Sequence, residues 1–259
     1  MNLGLSGKVV LITGAASGIG AAVAHLAAAE GVGALALTDR DGPGCQMTAA
    51  AVSGPCEVAC ILADLSDPDA PQHIFGAAKQ RFGRVDGLVN AAGLTTRASM
   101  QTGTPEIWEQ LFAVNARAAY FLMQAVIADM RARAAAGAIV NILSMNAHCG
   151  VAELAIYSAT KGALATLTRN AANAHMADRI RVNGVNLGWV ATPGEHQMQA
   201  EVLGRGPGWL AEVSRAMPLG RLVTSEEAAR LVLFLLSDAS VPMSGALVDF
   251  EQKVTGSIG

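Results

Sequence analysis

Three polar residues in the second half of the chain could together move a proton. Tyr157 and Lys161 in "YSATK" are four positions apart, so a helix would bring the phenol and the ammonium onto one face. A nearby ammonium favours the phenolate, and we expect Lys161 to lower the pKa of Tyr157 toward neutral pH. Ser144 follows an apolar run in "AIVNILS" and could hold a substrate oxygen beside the phenol. This set predicts acid/base catalysis on an alcohol or ketone, coupled to hydride transfer on a nicotinamide cofactor.

A tyrosine and a lysine at this spacing also occur for structural reasons alone, so the interpretation depends on a cofactor site elsewhere. The segment "TGAASGIG" places Gly14, Gly18 and Gly20 between an apolar strand and a helix. Glycines allow a tight turn, and the free N–H groups and dipole of the helix start can bind a diphosphate. The spacing is Gly-x3-Gly-x-Gly rather than Gly-x-Gly-x-x-Gly. Its place in the first strand–helix unit predicts a dinucleotide site.

Residues that follow the next strands complete the predicted cofactor site. Asp39 follows the second strand, where a carboxylate accepts ribose hydroxyls and repels a 2′-phosphate, so NAD is favoured over NADP. Arg40 could instead pair with a phosphate. Asp64 is placed to meet the adenine edge, and the small residues of "NAAG" (90–93) would let a flat cofactor lie against the sheet. The predicted cofactor-binding residues are Gly14, Ser17, Gly18, Ile19, Gly20, Asp39, Arg40, Asp64, Leu65, Asn90, Ala91, Gly93, Tyr157, Lys161, Val190 and Thr192.

Predicted strands and helices alternate along the chain, and their arrangement must bring these residues together. Apolar strands are predicted at 8–12, 33–39, 57–64, 85–93, 138–143, 180–188 and 245–250, and helices near 19–31, 68–82, 105–131, 155–177 and 225–237. Strands that are apolar throughout are buried on both faces, which indicates a parallel sheet covered by helices. The sequence therefore predicts an α/β fold with a doubly wound parallel seven-stranded sheet (Rossmann fold), in a single domain over 1–259.

Two segments have more specific predictions. The longest helix is predicted to begin with Thr104 as its N-cap and Pro105 at its first position. The segment 190–224 is rich in Gly and Pro and follows the carboxyl end of a strand, where ligands bind in such sheets. We expect it to form a mobile substrate lid.

Composition limits the partners and the location. The chain is 52% hydrophobic and carries a net charge of −3, which excludes a disordered protein and gives no general affinity for nucleic acid or anionic membranes. Its cysteines lack metal-like spacing, so we expect reduced thiols and no metal; they are Cys45, Cys56, Cys60 and Cys149. The N-terminus lacks the pattern of a secretory signal, and polar residues interrupt its apolar run, so the expected location is the cytoplasm, with no membrane span.

Together these motifs resemble the short-chain dehydrogenase/reductase family, in the branch whose chains have this length. The resemblance covers nearly the whole chain; it comprises "TGAASGIG" (13–20), Asp39, "ADL" (63–65), "NAAG" (90–93), Asn115 in "FAVNARA", Ser144, "YSATK" and Gly188–Thr192. It implies a catalytic tetrad of Asn115, Ser144, Tyr157 and Lys161. In that tetrad the asparagine helps to hold a water of a proton relay, and the lysine also binds the nicotinamide ribose. The resemblance further implies a homotetramer or, less often, a dimer.

The chain departs from the family pattern in two places. Leu187 precedes Gly188 where the family usually has proline, and "VDFEQ" puts Phe250 and Glu251 where the family has glycines. The tail "KVTGSIG" (253–259) could pack on a neighbouring subunit or close its own site.

The residues expected near the substrate are mostly polar. They are Ser144, Asn146, His148, Glu153, Tyr157, Trp189 and Glu195, with Cys149 and His196 as further candidates. A sugar, sugar acid or polyol would need such donors and acceptors, because an unsatisfied buried polar group costs roughly 1–3 kcal/mol. His148 could instead be structural, and Glu195 and His196 could be solvated lid residues. The alternatives are a ketone reductase for an apolar substrate (a steroid, cyclic ketone or acyl thioester) and a non-catalytic NAD-sensing protein.

Overall fold

A seven-stranded parallel sheet forms the centre of the computed structural model, which describes residues 3–253. The strands are β1 Val9–Thr13, β2 Ala34–Asp39, β3 Glu57–Leu62, β4 Gly87–Asn90, β5 Gly137–Ile142, β6 Ile180–Leu187, the short pair β7 Val190–Ala191 and β8 Val223–Thr224, and β9 Leu247–Phe250. The sheet order is β3-β2-β1-β4-β5-β6-β9, and every neighbouring pair is parallel. This confirms the predicted doubly wound sheet; the domain bounds 1–259 stay a prediction.

Helices cover both faces of the sheet. They are α1 Gly18–Ala29, α2 Gly42–Ala51, α3 Ala70–Phe82, α4 Pro105–Phe112, α5 Ala118–Ala132, α6 Ala155–His175, α7 Pro193–Gln197, α8 Trp209–Arg215 and α9 Ser225–Leu236. The sequence pattern misses α2, because glycine and proline occupy its first turn. Asp41 caps this helix by accepting the N–H of Gly44 at 3.0 Å.

Strand β1 shows why the strands are apolar throughout. All five of its residues are buried. Val10 and Ile12 pack into a core with residues of α1 and α9, whereas Leu11 packs into a second core with residues of α3, α5 and α6. Each position of β1 therefore faces a helical layer, and this strand has no position for an exposed polar side chain.

The strand order creates a crevice at the carboxyl end of β1. The chain proceeds outward from β1 to β2 and β3 and then returns to place β4 on the other side of β1. The connections that leave β1 and β4 therefore diverge to opposite sides of the sheet. Such a switch point is where open α/β sheets bind their ligands.

The longest helical segment runs without interruption from Pro105 to Ala132. Thr104 is its N-cap, as predicted, and its Oγ1 accepts the N–H of Ile107 at 3.3 Å. A π-helical turn, Ala113–Arg117, joins α4 to α5. The segment is long and apolar enough to cross a membrane by length and composition, but 56% of its most apolar window is buried in this protein. It is thus a helix of the core in the described structure.

The predicted lid, 190–224, is more ordered locally than its glycines and prolines suggest. It contains β7, α7, a π-helical turn at Met198–Val202, α8 and β8. The indole rings of Trp189 and Trp209 stack with centroids 6.0 Å apart, and Trp209 is fully buried. The mobility of the segment stays a prediction. The C-terminal tail lies outside the described residues except for Lys253.

Candidate active site

The glycine turn packs directly on the end of β4. Gly14 has a positive φ of 67°, and a Cβ at this position would lie 2.7 Å from the backbone of Ala92. A Cβ on Gly20 would overlap the carbonyl oxygen of Gly14. Thr13 ties the same two segments together, because its Oγ1 accepts the N–H groups of Ala91 and Ala92 at 3.1 Å each. The turn thus has no room for a side chain at Gly14 or Gly20.

A cleft of about 390 Å³ lies above this turn. It is lined by twelve of the residues predicted to bind the cofactor: Gly14, Ser17, Gly18, Ile19, Gly20, Asp39, Arg40, Asp64, Leu65, Ala91, Gly93 and Thr192. The sequence interpretation did not include Thr38, Ser66, Leu94, Gln110, Val114 or Gly194, which also line it. A nicotinamide dinucleotide needs closely packed glycines and a helix N-terminus for its diphosphate, and a carboxylate near its ribose. The residues that line the cleft fit this cofactor.

Four of the predicted cofactor residues, Asn90, Val190, Tyr157 and Lys161, do not line the cleft; the last two are described below. Asn90 is buried in the sheet, where its Nδ2 donates to Oδ1 of Asn141 at 2.8 Å. Val190 is buried and pairs with Val223 in the short sheet. Both residues end or follow strands, and the sequence pattern could not tell which side of the chain faces the cleft.

Asp39 has a structural task in addition to its predicted one. Its Oδ2 accepts the N–H of Ala16 within the glycine turn, and its Oδ1 accepts the N–H of Asp41, both at 3.0 Å. The carboxylate therefore braces the turn while it lines the cleft. Asp64 is held by Ser66, whose N–H donates to Oδ1 at 2.8 Å and keeps the pKa of Asp64 below its ordinary value.

Ser144, Tyr157 and Lys161 come together at the carboxyl end of β5. Ser144 follows β5, and its Oγ accepts the N–H of Asn146 at 3.1 Å. Tyr157 is 8% exposed, and it lines the same pocket wall as Ser144. Lys161 donates from Nζ to the carbonyl oxygen of Ile142 at 2.8 Å, and the same Nζ lies 5.8 Å from the centre of the Tyr157 ring. A Cβ on Gly93 would lie 3.5 Å from Nζ, so the ammonium lies at the edge of the cofactor cleft.

Burial reverses the expected direction of the tyrosine pKa. Burial raises the pKa of Tyr157 above its ordinary value, and the negative charge of Glu195 raises it further, while the hydrogen bond with Ser144 lowers it. Burial also lowers the pKa of Lys161 to about 8. The expectation that Lys161 lowers the tyrosine pKa is therefore wrong for this structure, because desolvation of the phenolate is the largest contribution.

Asn115 lies in the π-helical turn and connects two parts of the site. Its Nδ2 donates to the carbonyl oxygen of Leu94 at 2.9 Å and to Oγ1 of Thr160 at 3.1 Å, and its Oδ1 accepts the N–H of Leu94 at 2.8 Å. The amide therefore joins the loop after β4 to helix α6, three residues from Tyr157. Its implied role in holding a water stays a prediction.

A second pocket, of about 380 Å³, contains Ser144 and Tyr157 in its wall. Three more of the predicted substrate residues line it: Asn146, Trp189 and Glu195. Trp189 Nε1 and Gln199 Nε2 both donate to Oε1 of Glu195, each at 2.8 Å. These contacts hold Glu195 as an ordered wall residue rather than a solvated one.

The remaining predicted substrate residues lie outside the pocket lining. His148 is exposed, and its Nε2 lies 2.8 Å from Oδ1 of Asp249. Glu153 is exposed as well, and only its backbone carbonyl is engaged, by the N–H of Ala98. Cys149 is exposed, and Nδ1 of His196 accepts the indole N–H of Trp209 at 3.0 Å. Nearness in sequence to Ser144 and Tyr157 thus does not place His148, Cys149 or Glu153 in the lining of this pocket, and their contact with a substrate stays a prediction.

The sequence interpretation missed several wall residues of this pocket. Among them are Thr95, Arg97, Val151, Leu154, Met198, Gln199 and Glu251. Glu251 was noted only as a departure from the family pattern. A Cβ on Gly188 would overlap the carboxylate of Glu251, and Oε2 of Glu251 accepts the N–H of Trp189 at 3.1 Å. Because Gly188 has no side chain, the carboxylate of Glu251 can occupy the space beside it.

Among residues 3–253, no group of three or more His, Cys, Asp or Glu side chains is placed to hold a metal ion.

Comparisons with known proteins agree with this geometry. Residues 14–251 match a family model described as enoyl-(acyl carrier protein) reductase. The chain is 36% identical over 239 residues to galactitol 2-dehydrogenase of Agrobacterium fabrum. The aligned region covers 90% of this chain and 91% of that protein. The chain is also 34% identical over 245 residues to 2-(S)-hydroxypropyl-CoM dehydrogenase 3 of Xanthobacter autotrophicus. That aligned region covers 93% of this chain and 94% of that protein.

The fold also has close counterparts among solved structures. L-sorbose reductase from Gluconobacter frateurii, solved as a complex with NADPH and L-sorbose, superposes with a TM-score of 0.92 over the whole of both chains, at 28% identity. These relatives are dehydrogenases and a reductase of small alcohols and sugars.

Proposed function

The chain belongs to the short-chain dehydrogenase/reductase family, and from this premise we propose that it transfers a hydride between NAD and a secondary alcohol or ketone of a sugar, sugar acid or polyol. The observation that carries the proposal is the joint position of Ser144, Tyr157 and Lys161 between the glycine-lined cleft and the second pocket. A non-catalytic NAD-sensing protein would not need this combination.

Ser144, Tyr157 and Lys161 have separate roles in the proposed reaction. A bound nicotinamide supplies the hydride acceptor for oxidation and the hydride donor for reduction. Ser144 Oγ donates to the substrate oxygen and holds it beside the phenol. Tyr157 Oη takes the hydroxyl proton when an alcohol is oxidised and returns it when a ketone is reduced. Lys161, which is 4% exposed and fixed by Ile142, places a cation near the phenol and at the cofactor cleft.

The test of this proposal is turnover followed by the absorbance of reduced nicotinamide. Purified protein is assayed with NAD against sugars, sugar acids, polyols, cyclic alcohols and hydroxysteroids. We expect polyhydroxylated compounds to be oxidised and Tyr157→Phe to lower kcat by at least about 100-fold, since general acid/base catalysis contributes roughly that much or more. Undiminished activity of Tyr157→Phe would refute its role as the base.

Apolar walls of the same pocket favour the second candidate, a dehydrogenase or reductase of apolar ketones and alcohols. Val151, Leu154, Met145 and Met198 line the pocket together with the polar groups. Activity confined to cyclic alcohols or steroids in the same assay would replace the leading proposal with this one. The mechanism at Tyr157 would be unchanged.

The preference for NAD is proposed from Asp39, whose charge on the cleft would repel a 2′-phosphate. The relative L-sorbose reductase was solved with NADPH, so the preference needs its own test. We expect Asp39→Asn to raise the ratio of NADP to NAD activity, because it removes the charge but keeps an oxygen for the N–H of Ala16. Asp39→Ala removes both the charge and the oxygen and serves as the comparison. An unchanged ratio in Asp39→Asn would show that the carboxylate does not select the cofactor.

We also propose a cytoplasmic enzyme that assembles as a homotetramer. Large apolar side chains are exposed along α4 and α5, among them Trp108 at 45%, Tyr120 at 40% and Phe121 at 43%. Exposed large aromatic side chains are a frequent feature of protein interfaces, so a second copy of the chain is a suitable cover for them.

A further inference from the structure

Arg97 is a half-buried arginine in the wall of the substrate pocket that has no hydrogen-bond or ion-pair partner among residues 3–253. Its Nε atom is buried without an acceptor. The other buried or half-buried arginines in this range, Arg117, Arg133 and Arg181, each donate to protein oxygen atoms. The remaining arginines without such a bond are exposed to solvent. Arg97 thus combines partial burial with an uncommitted guanidinium.

The backbone beside Arg97 is fixed against the helix that carries Tyr157. The N–H of Ala98 donates to the carbonyl oxygen of Glu153 at 2.8 Å, and Ala98 forms a parallel bridge with Leu154. Ala98 is 1% exposed and packs in a small apolar cluster with Leu111 and Ile156. The fold therefore sets where the arginine stands relative to Tyr157.

The carboxylates of the same pocket are engaged by other groups. Glu195 accepts from Trp189 Nε1 and Gln199 Nε2, and Glu251 accepts the N–H of Trp189. The pocket therefore holds one uncommitted cation and two carboxylates that are already hydrogen-bonded to neutral donors. A substrate that carries both an anionic group and hydroxyls would complement this distribution of charge.

We propose that Arg97 binds a carboxylate of the substrate, so that the enzyme acts on a sugar acid or related hydroxy acid rather than on a neutral polyol; this rests on the proposed function. A guanidinium presents its N–H donors in a fork that matches a carboxylate. A buried N–H without an acceptor is costly, and a carboxylate that engages the guanidinium lowers this cost. The hydroxyls of the substrate donate to Glu195 and Glu251, whose charges repel its carboxylate toward Arg97.

The test uses matched acids and polyols with the whole enzyme and NAD. D-gluconate is compared with D-glucitol, D-galactonate with galactitol, and D-glucitol 6-phosphate separates a phosphate from a carboxylate. Initial rates are measured for the wild type, Arg97→Gln and Arg97→Lys. Arg169→Gln is the control, because Arg169 is exposed on α6 and lines neither pocket. Thermal unfolding of each variant checks that it is folded.

We expect the wild type to prefer the acid of each pair. Arg97→Gln should lower kcat/KM for the acid by about 10- to 100-fold, chiefly through KM, and change that for the polyol less than about threefold. Arg97→Lys should retain part of the acid preference because it keeps the charge without the fork.

The other outcomes separate this inference from the proposed function. Equal losses on acid and polyol would make Arg97 a structural residue of the loop, and a preference for the phosphate would overturn the carboxylate assignment. Turnover of neutral polyols alone would overturn the inference and leave the proposed function standing. Turnover of neither class would overturn both.

Discussion

The environment of Tyr157 determines how the reaction should depend on pH. Burial and Glu195 raise its pKa, so the phenolate that must accept the alcohol proton is scarce near neutral pH. We expect kcat/KM for alcohol oxidation to rise from about pH 7 to about pH 9, since the fraction of base increases with pH below the pKa. Ketone reduction needs the neutral phenol and should show no such rise.

Two substitutions test the cause of this dependence. Ser144→Ala removes the hydrogen bond that lowers the Tyr157 pKa, and the rising limb should move to higher pH. Glu195→Gln removes the nearby negative charge, and the limb should move to lower pH. Limbs that shift in the same direction, or an oxidation rate that falls with rising pH, would show that another group controls the profile.

At the scale of the element, the turn from β1 into α1 is constrained by its glycines. Gly20→Ala would place a methyl group against the carbonyl oxygen of Gly14, so the turn must distort. We expect a loss of about 1–3 kcal/mol in the free energy of unfolding. We also expect weaker NAD binding, measured by titration.

Gly76 provides a matched control for this substitution. It lies within α3, is exposed, and has no atom within 4 Å of the position that a Cβ would take. Gly76→Ala should therefore be neutral or stabilise the protein by up to about 1 kcal/mol. If the two alanine variants bind NAD equally well, close packing of the turn is not needed for the cofactor.

At the scale of the whole molecule, Arg181 joins the central sheet to the end of α9. It is 5% exposed on β6, and it donates to the carbonyl oxygens of Leu235 and Ser237 and to Oγ of Ser240, at 2.7–2.9 Å. The guanidinium thus satisfies acceptors at a buried helix end. Its position in the middle of an apolar strand pattern gives no hint of this task.

We expect Arg181→Met to lower the free energy of unfolding by about 2–3 kcal/mol, because several buried acceptors lose their donor. Chemical denaturation measures this, with Arg169→Met as the exposed control. A loss no larger than that of the control would mean that water replaces the guanidinium at little cost.

Local sequence signals were sufficient to predict the fold and the types of residue that form the site. Buried strands, helix periodicity and the cap at Thr104 are properties of short segments, so they could be predicted without tertiary information. The glycine turn was predicted for the same reason, because Gly14, Gly18 and Gly20 act within one strand–helix connection. Helix α2 was missed because the glycines in its first turn weaken the helical pattern, although Asp41 caps this helix.

The parallel sheet, the glycine turn and the residues Ser144, Tyr157 and Lys161 could be identified from sequence patterns alone. The tertiary structure was needed for the direction of the Tyr157 pKa, because burial depends on how distant segments pack around the phenol. It likewise decided that His148 lies outside the pocket and that Glu251 fills the space above Gly188. Burial, charge and hydrogen bonding at a site depend on distances between segments far apart in the chain, and no local pattern encodes those distances.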